Sequence, residues 1–321
     1  GSFRFGPAVA EVANFILAAK GETNLRIRGL GQPSRVGRLP KNLPHAFIAR
    51  GNSALFSRAV QALQANETFA FVGSLSHYRL DLIEQTYNLS LGMPVNDPFL
   101  KAFGRYEDLE EYADAMDDRE IKGRCKLVEK YQKRLPSLLS RIQQKAQEYP
   151  GATASVILTT GHRSKGLEFD RVQMSDDFMD FFDEKNSQWH DFQNADARDL
   201  EEVNLQYVAA TRARQVLEVG DKLERFLDHT KKLELQAERK ETEAQLGTAA
   251  FPTVIRKTLP PRPARTATAT NSGRPRPFAP PAPPSTPGRP RKISVTPPNP
   301  SLQDPHEPCQ PHVVVDLRDP D

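Results

Sequence analysis

The sequence predicts an α/β fold: a parallel sheet interrupted by a helical insertion and followed by a disordered tail rich in proline and arginine. Three observations predict it. Short apolar runs alternate with a helix-period segment over residues 45–75, the spacing of a strand-helix-strand unit with parallel strands. From 78 to 149 the β-branched runs give way to helical periodicity, and strands return from 154. Finally, 19 of the 27 prolines lie between Pro252 and Pro320, a composition that cannot bury enough apolar surface to fold.

Each element has its own signal. Pro7 suits a first helical turn, and Val9, Val12, Ala13, Phe15 and Ile16 share one helical face until Gly21 stops it. A chain that opens so abruptly at a helix entrance reads as a piece of a longer one. "HAFIAR" (45–50) is a buried strand, "NSALFSRAVQALQ" (52–64) an amphipathic helix opening after Gly51, and "FAFVGSL" (69–75) a further strand. Three helical stretches follow, the last kinked or broken by Pro136. Strands are predicted at 154–159 and 171–175, a helix at about 199–213 and a strand at 216–220. Residues 1–77 and 151–235 are thus two parts of one α/β domain, 78–150 its helical insertion, and 236–321 a charged helical extension and tail.

Charge is uneven. The net value is +3, but residues 251–300 hold nine Arg and Lys and no Asp or Glu. Such a segment either attracts phosphate backbones through counterion release or merely solubilises. Cys125 and Cys309 form neither a metal spacing nor a disulfide framework, which suits a reducing compartment. With no membrane-length apolar run and no signal-peptide core, the expectation is a soluble intracellular protein. "GRPRK" (288–292) is a basic nuclear signal if the source is eukaryotic; a bacterial protein would stay in the cytoplasm. The terminal "VVVDLRDPD" is either a chance tail or a segment that adds to a partner's sheet edge, resembling a SUMO-interacting motif.

Three stretches carry chemistry: Phe3-Arg4-Phe5-Gly6 at a helix entrance, "TGHRSKGLEF" (160–169), and "EEVNLQYVAATRARQVLEV" (201–219). Singly, each has a bland reading: a surface arginine, an ordinary Lys-Gly turn, a helix-terminal arginine favoured by the macrodipole. Asp176-Asp177, at a strand end, suit interdomain or helix-capping roles better than a metal. Phe178, Phe181 and Phe182 read as core, and Trp189 as a loop residue without a partner.

Together the three stretches resemble motifs IV, V and VI of the UvrD/Rep-type superfamily 1 DNA helicases. The carriers are T-x-H-x-x-KGLEFD-x-V and EE-x-x-L-x-YVA-x-TRA. "SFRFGPAVAEVAN", "GRCKLVEKYQKRLPSLLSRI" and "KGLEFDRVQMSDDF" further resemble the F-box DNA helicase branch, over residues 2 to about 235. The resemblance implies a RecA-like second helicase domain, the C-terminal half of an ATP-dependent 3′-to-5′ translocase acting in recombination and fork repair. It implies Arg4 and Arg212 as arginine fingers on the γ-phosphate, and Phe3 stacking on adenine. Gly166 would admit backbone to the nucleotide, and Glu168 would accept a ribose hydroxyl. Thr160, His162 and Arg163 would face single-stranded DNA, His162 serving either as a contact or as a relay to the ATP site.

No Gly-x-x-x-x-Gly-Lys-Ser/Thr phosphate loop occurs in the chain. The partner expected is therefore an N-terminal RecA-like domain, upstream or on a separate chain, that supplies the phosphate loop and the Mg²⁺ ligands. This chain alone would not hydrolyse ATP. The rival reading is a non-catalytic DNA-binding remnant or one chain of a split helicase.

Overall fold

The computed structural model describes residues 1–248, apart from 23, 149–152, 191, 193 and 194, and the SUMO-like terminus and the basic tail lie outside the described residues. Its centre is a six-stranded, wholly parallel sheet in the order β1-β8-β5-β2-β4-β3. The strands are β1 (Arg35–Val36), β2 (His45–Ala49), β3 (Phe69–Phe71), β4 (Val156–Thr160), β5 (Phe169–Met174) and β8 (Ala213–Glu218). A short antiparallel pair, β6 (Phe182–Asp183) and β7 (Gln188–Trp189), stands apart from it.

The period-2 alternation of β2 sorts its side chains between two cores. Ala46 and Ile48 enter one core with α1 (Pro7–Ala19), α7 (Ala197–Ala210) and the first turns of α8 (Asp221–Thr248). Phe47 enters the other, with α2 (Asn52–Ala65), α5 (Arg119–Tyr131) and α6 (Leu135–Glu148). Helices on both faces explain why the strands read as continuous apolar runs. The predicted helical stretch thus shares its core with the sheet. α3 (Leu80–Ser90) gives Leu80 and Ile83 to that same core, while its last turn and α4 (Tyr106–Ala115) enclose a smaller cluster of Leu89, Leu100, Leu109 and Ile121.

Local chemistry sets the ends. Asn66 closes α2 in the left-handed region at φ +55°, as an asparagine C-cap can. Asp118 and Asp196 cap α5 and α7, accepting from the Ile121 and Asp199 amides at 3.0 and 2.8 Å. Pro136 sits in the first turn of α6, where its lack of an N–H is harmless. The break itself is a 3₁₀ turn at Gln132–Arg134, with Gln132 at φ +46°.

Two expectations need correction, and one strand is not predicted by the sequence. β1 is a two-residue strand too short to show periodicity. α8 begins at Asp221, because Leu223, Phe226 and Leu227 give its first turns a core face. Trp189 is not a lone loop residue: it pairs with Phe182 across the β6–β7 hairpin and stacks on His229 at 4.1 Å.

Candidate functional site

Two groups of side chains gather at opposite edges of the sheet. Glu168 and Arg212 each immediately precede a strand, and those strands pair from their first residues, Phe169 against Ala213. The Phe169 amide donates to the Arg212 carbonyl at 2.9 Å, which fixes the two side by side. Arg212 is buried. Its guanidinium donates to the Val208 carbonyl at 2.9 Å, the Leu167 carbonyl at 3.2 Å and Thr211 Oγ1 at 3.1 Å.

The N-terminal segment arrives from the other side. Ser2 and Phe5 exchange backbone hydrogen bonds with Arg28, Leu30 and Gly31, and the buried Phe5 ring anchors the segment. Phe3 is 80% exposed, and Arg4 reaches Glu168, Nε to Oε1 at 2.9 Å. Burial, and then the neighbouring Arg4 charge, lower the Arg212 pKa from the usual guanidinium value, while Glu168 works against them. Two guanidiniums facing one carboxylate leave this edge with surplus positive charge, which fits an anion.

Gly166 precedes this edge at φ +88°, with open space where a Cβ would lie. Its requirement is therefore backbone conformation rather than room. Gly166→Ala is expected to cost about 1–2 kcal/mol from the left-handed backbone alone, read as a lowered Tm; an unchanged melt would mean that the turn relaxes freely.

The second group lies at the opposite, C-terminal edge, where Thr160 ends β4 level with Ala49 of β2. The buried Thr160 accepts from the Arg163 amide at 3.3 Å, and the buried Ser164 hydroxyl donates to the Gly161 carbonyl at 2.7 Å, closing a tight turn. His162 is exposed on it. Arg163 lies over the Tyr78 ring at 5.3 Å and donates to His77 Nδ1 at 3.3 Å. Thr160, His162 and Arg163 therefore do not meet Arg4 and Arg212. Residues 161–168 cross from one edge to the other and connect the groups.

Sequence reasoning did not foresee the network beside the second group. Arg50, just after β2, donates to Glu202 of α7 through Nη2 at 2.7 Å and Nε at 3.1 Å, and to Glu120 of α5 at 3.2 Å. Arg119 reaches Glu202 at 3.4 Å. Asp177 accepts from the Arg50 and Gly51 amides, both at 2.8 Å, at the entrance to α2. Asp177 thus serves the entrance to α2, one of the two kinds of role expected for Asp176-Asp177, while Asp176 accepts from the Lys222 amide in the first turn of α8 at 3.4 Å. Glu202 stands in the quoted EE-x-x-L stretch, but nothing in the sequence points from it to a residue 152 positions away.

Burial pushes Asp177 and Glu120 above the usual carboxylate range. It opposes ionisation of Glu202 too, but there the hydrogen bond and charge of Arg50, with Arg119, outweigh it and hold the pKa low. The stability that Glu202 supplies is therefore full above the ordinary glutamate range and is lost as pH falls through its depressed folded-state value. Asp177 and Glu120 have the opposite sign, gaining stability as the pH falls through their raised values. The Tm difference between wild type and Glu202→Gln should be largest near pH 7 and shrink toward about pH 3; a constant difference across that range would contradict the assignment.

Among the described residues no three His, Cys, Asp or Glu side chains come together as a metal site. Residues 78–220 match the UvrD-like helicase C-terminal domain. Over those residues the chain is similar to the C-terminal domain of UvrD-like helicases. It is 31% identical over 261 residues to F-box DNA helicase 1 of Gallus gallus, an alignment covering 75% of this chain and 26% of that protein. It is 30% identical over 241 residues to F-box DNA helicase protein 1 of Schizosaccharomyces pombe, covering 68% and 26%. The chain thus spans about a quarter of the length of the relatives it matches.

Proposed function

We propose that this chain is the second motor domain of an ATP-dependent 3′-to-5′ DNA helicase that moves along single-stranded DNA and acts in recombination and replication-fork repair. The observation that carries the reading is the convergence of Arg4, Glu168 and Arg212 beside the exposed Phe3 ring. ATP would lie between this edge and a RecA-like domain that supplies the phosphate loop and the Mg²⁺ ligands. Phe3 would stack on adenine, and Glu168 would exchange Arg4 for a ribose hydroxyl. Arg4 and Arg212 would then meet the γ-phosphate and offset charge on the transferring phosphoryl group.

Thr160, His162 and Arg163 would hold DNA phosphates, which position a strand without reading its sequence. Two connections favour coupling between the edges. Residues 161–168 run directly from the DNA-facing turn to Glu168. α7 runs back from Glu202, near the DNA-facing edge, to the turn bearing Arg212. Strand movement at one edge thus has two routes along the chain to the nucleotide at the other, one of them a helix.

The test is reconstitution. Mixed or fused with a phosphate-loop-bearing RecA-like half, the chain should confer ATP hydrolysis stimulated by oligo(dT), and Arg4→Ala should remove it. DNA binding without any stimulation would favour the non-catalytic remnant.

A further inference from the structure

We propose that the exposed aromatic face beside α4 is a docking surface for an arginine-rich peptide segment of another protein. Phe99, Phe103 and Tyr112 pack edge to face, with ring centroids 5.1–5.6 Å apart. Rings so arranged normally lie in a core, yet Phe99 and Tyr112 are 42% and 36% exposed. Met116, one helical turn past Tyr112, is 56% exposed. A contiguous apolar face of this kind on a soluble surface marks a contact site.

Charge selects the occupant. Residues 97–118 hold eight carboxylates against Lys101 and Arg105. Arg105 is already taken by Asp108 at 2.7 Å. On α4 the row Asp108, Tyr112, Met116 lies beside the row Glu107, Glu111, and neither glutamate makes an ion pair among the described residues. An arginine fits both features, because its guanidinium stacks flat on an aromatic ring while its fork binds a carboxylate. Aromatic rings also stack on nucleobases, but this rim repels the phosphates that must accompany them. A second copy meeting the same face would set carboxylates against carboxylates. The surface lies outside the nucleotide and DNA groups, so the inference does not depend on the function proposed above.

The experiment is fluorescence anisotropy on the full chain with three labelled probes: a twelve-residue alternating Arg-Pro peptide, its Glu-Pro counterpart and a twelve-nucleotide oligo(dT). The Arg-Pro peptide should bind and the Glu-Pro peptide should not. Phe99→Ala with Tyr112→Ala should weaken the Arg-Pro peptide about tenfold, as loss of two cation–π contacts implies. Glu107→Gln with Glu111→Gln should weaken it and flatten its salt dependence, and oligo(dT) binding should be unchanged in both variants. All four residues are surface-exposed or partly so, and matching thermal melts would exclude misfolding. Arg-Pro binding indifferent to both variants would overturn the proposal. So would loss of oligo(dT) affinity in the aromatic variant, which would make the face a base-stacking platform. Loss of a concentration-dependent dimer in sedimentation would overturn it in favour of a second copy.

Discussion

Arg212→Lys is expected to lower ATP turnover by about 10³-fold or more in a motor assembled with a phosphate-loop half. Lysine keeps the charge but not the fork. The three hydrogen bonds of Arg212, to the Val208 and Leu167 carbonyls and to Thr211 Oγ1, come from a planar group whose donors point in fixed directions. They tie the guanidinium at once to α7 and to the connection that ends at Glu168. A lysine ammonium cannot span those acceptors, so both its position and its charge placement at the γ-phosphate would be lost. Single-turnover hydrolysis with saturating ATP reads the chemical step directly. A tenfold loss or less, with nucleotide affinity also unchanged, would mean that Arg212 is a structural residue of the α7–β8 junction rather than a finger.

Arg50→Met is expected to destabilise the fold by about 3 kcal/mol, the lower part of the range for breaking one side of a buried ion pair, because the Arg50 side chain is still 21% exposed. The substitution leaves Glu202 deeply buried, with only the longer contact to Arg119. Glu120, which burial already pushes toward neutrality, would lose its nearest cation as well. Methionine fills much of the volume, so the loss reports charge rather than a cavity. Chemical denaturation of Arg50→Met, Glu202→Gln and the double variant would separate the contributions. The double variant should be less destabilised than the sum of the singles; strict additivity would show that the two residues do not act as a pair.

Much of the fold is legible in the sequence because its signals are local. Residues 46–49 of "HAFIAR" are apolar on both faces, and Pro7 and Pro136 act through their own backbone in a first helical turn. The parts that are not legible depend on distance. β1 exists only because β8 offers it an edge. Trp189 finds its partner on α8, forty residues later. The motifs placed Arg4, Glu168 and Arg212 as candidates, but not that Arg4 rests on Glu168, nor that Gly166 is held by its φ rather than by a close neighbour. The Arg50 network joins α2, α5, α7 and the end of β5, and no single stretch of sequence contains it.

The central claim is that this chain carries one half of a nucleotide site, and ATP hydrolysis tests it most directly. Turnover would be measured for the purified chain alone and then with a phosphate-loop-bearing RecA-like half, each with and without oligo(dT), beside Arg212→Ala. The chain alone should show no turnover, and the combination should show DNA-stimulated turnover that Arg212→Ala abolishes. DNA-stimulated hydrolysis by the isolated chain, lost in Arg212→Ala, would contradict that claim, since a complete site would then exist without a phosphate loop.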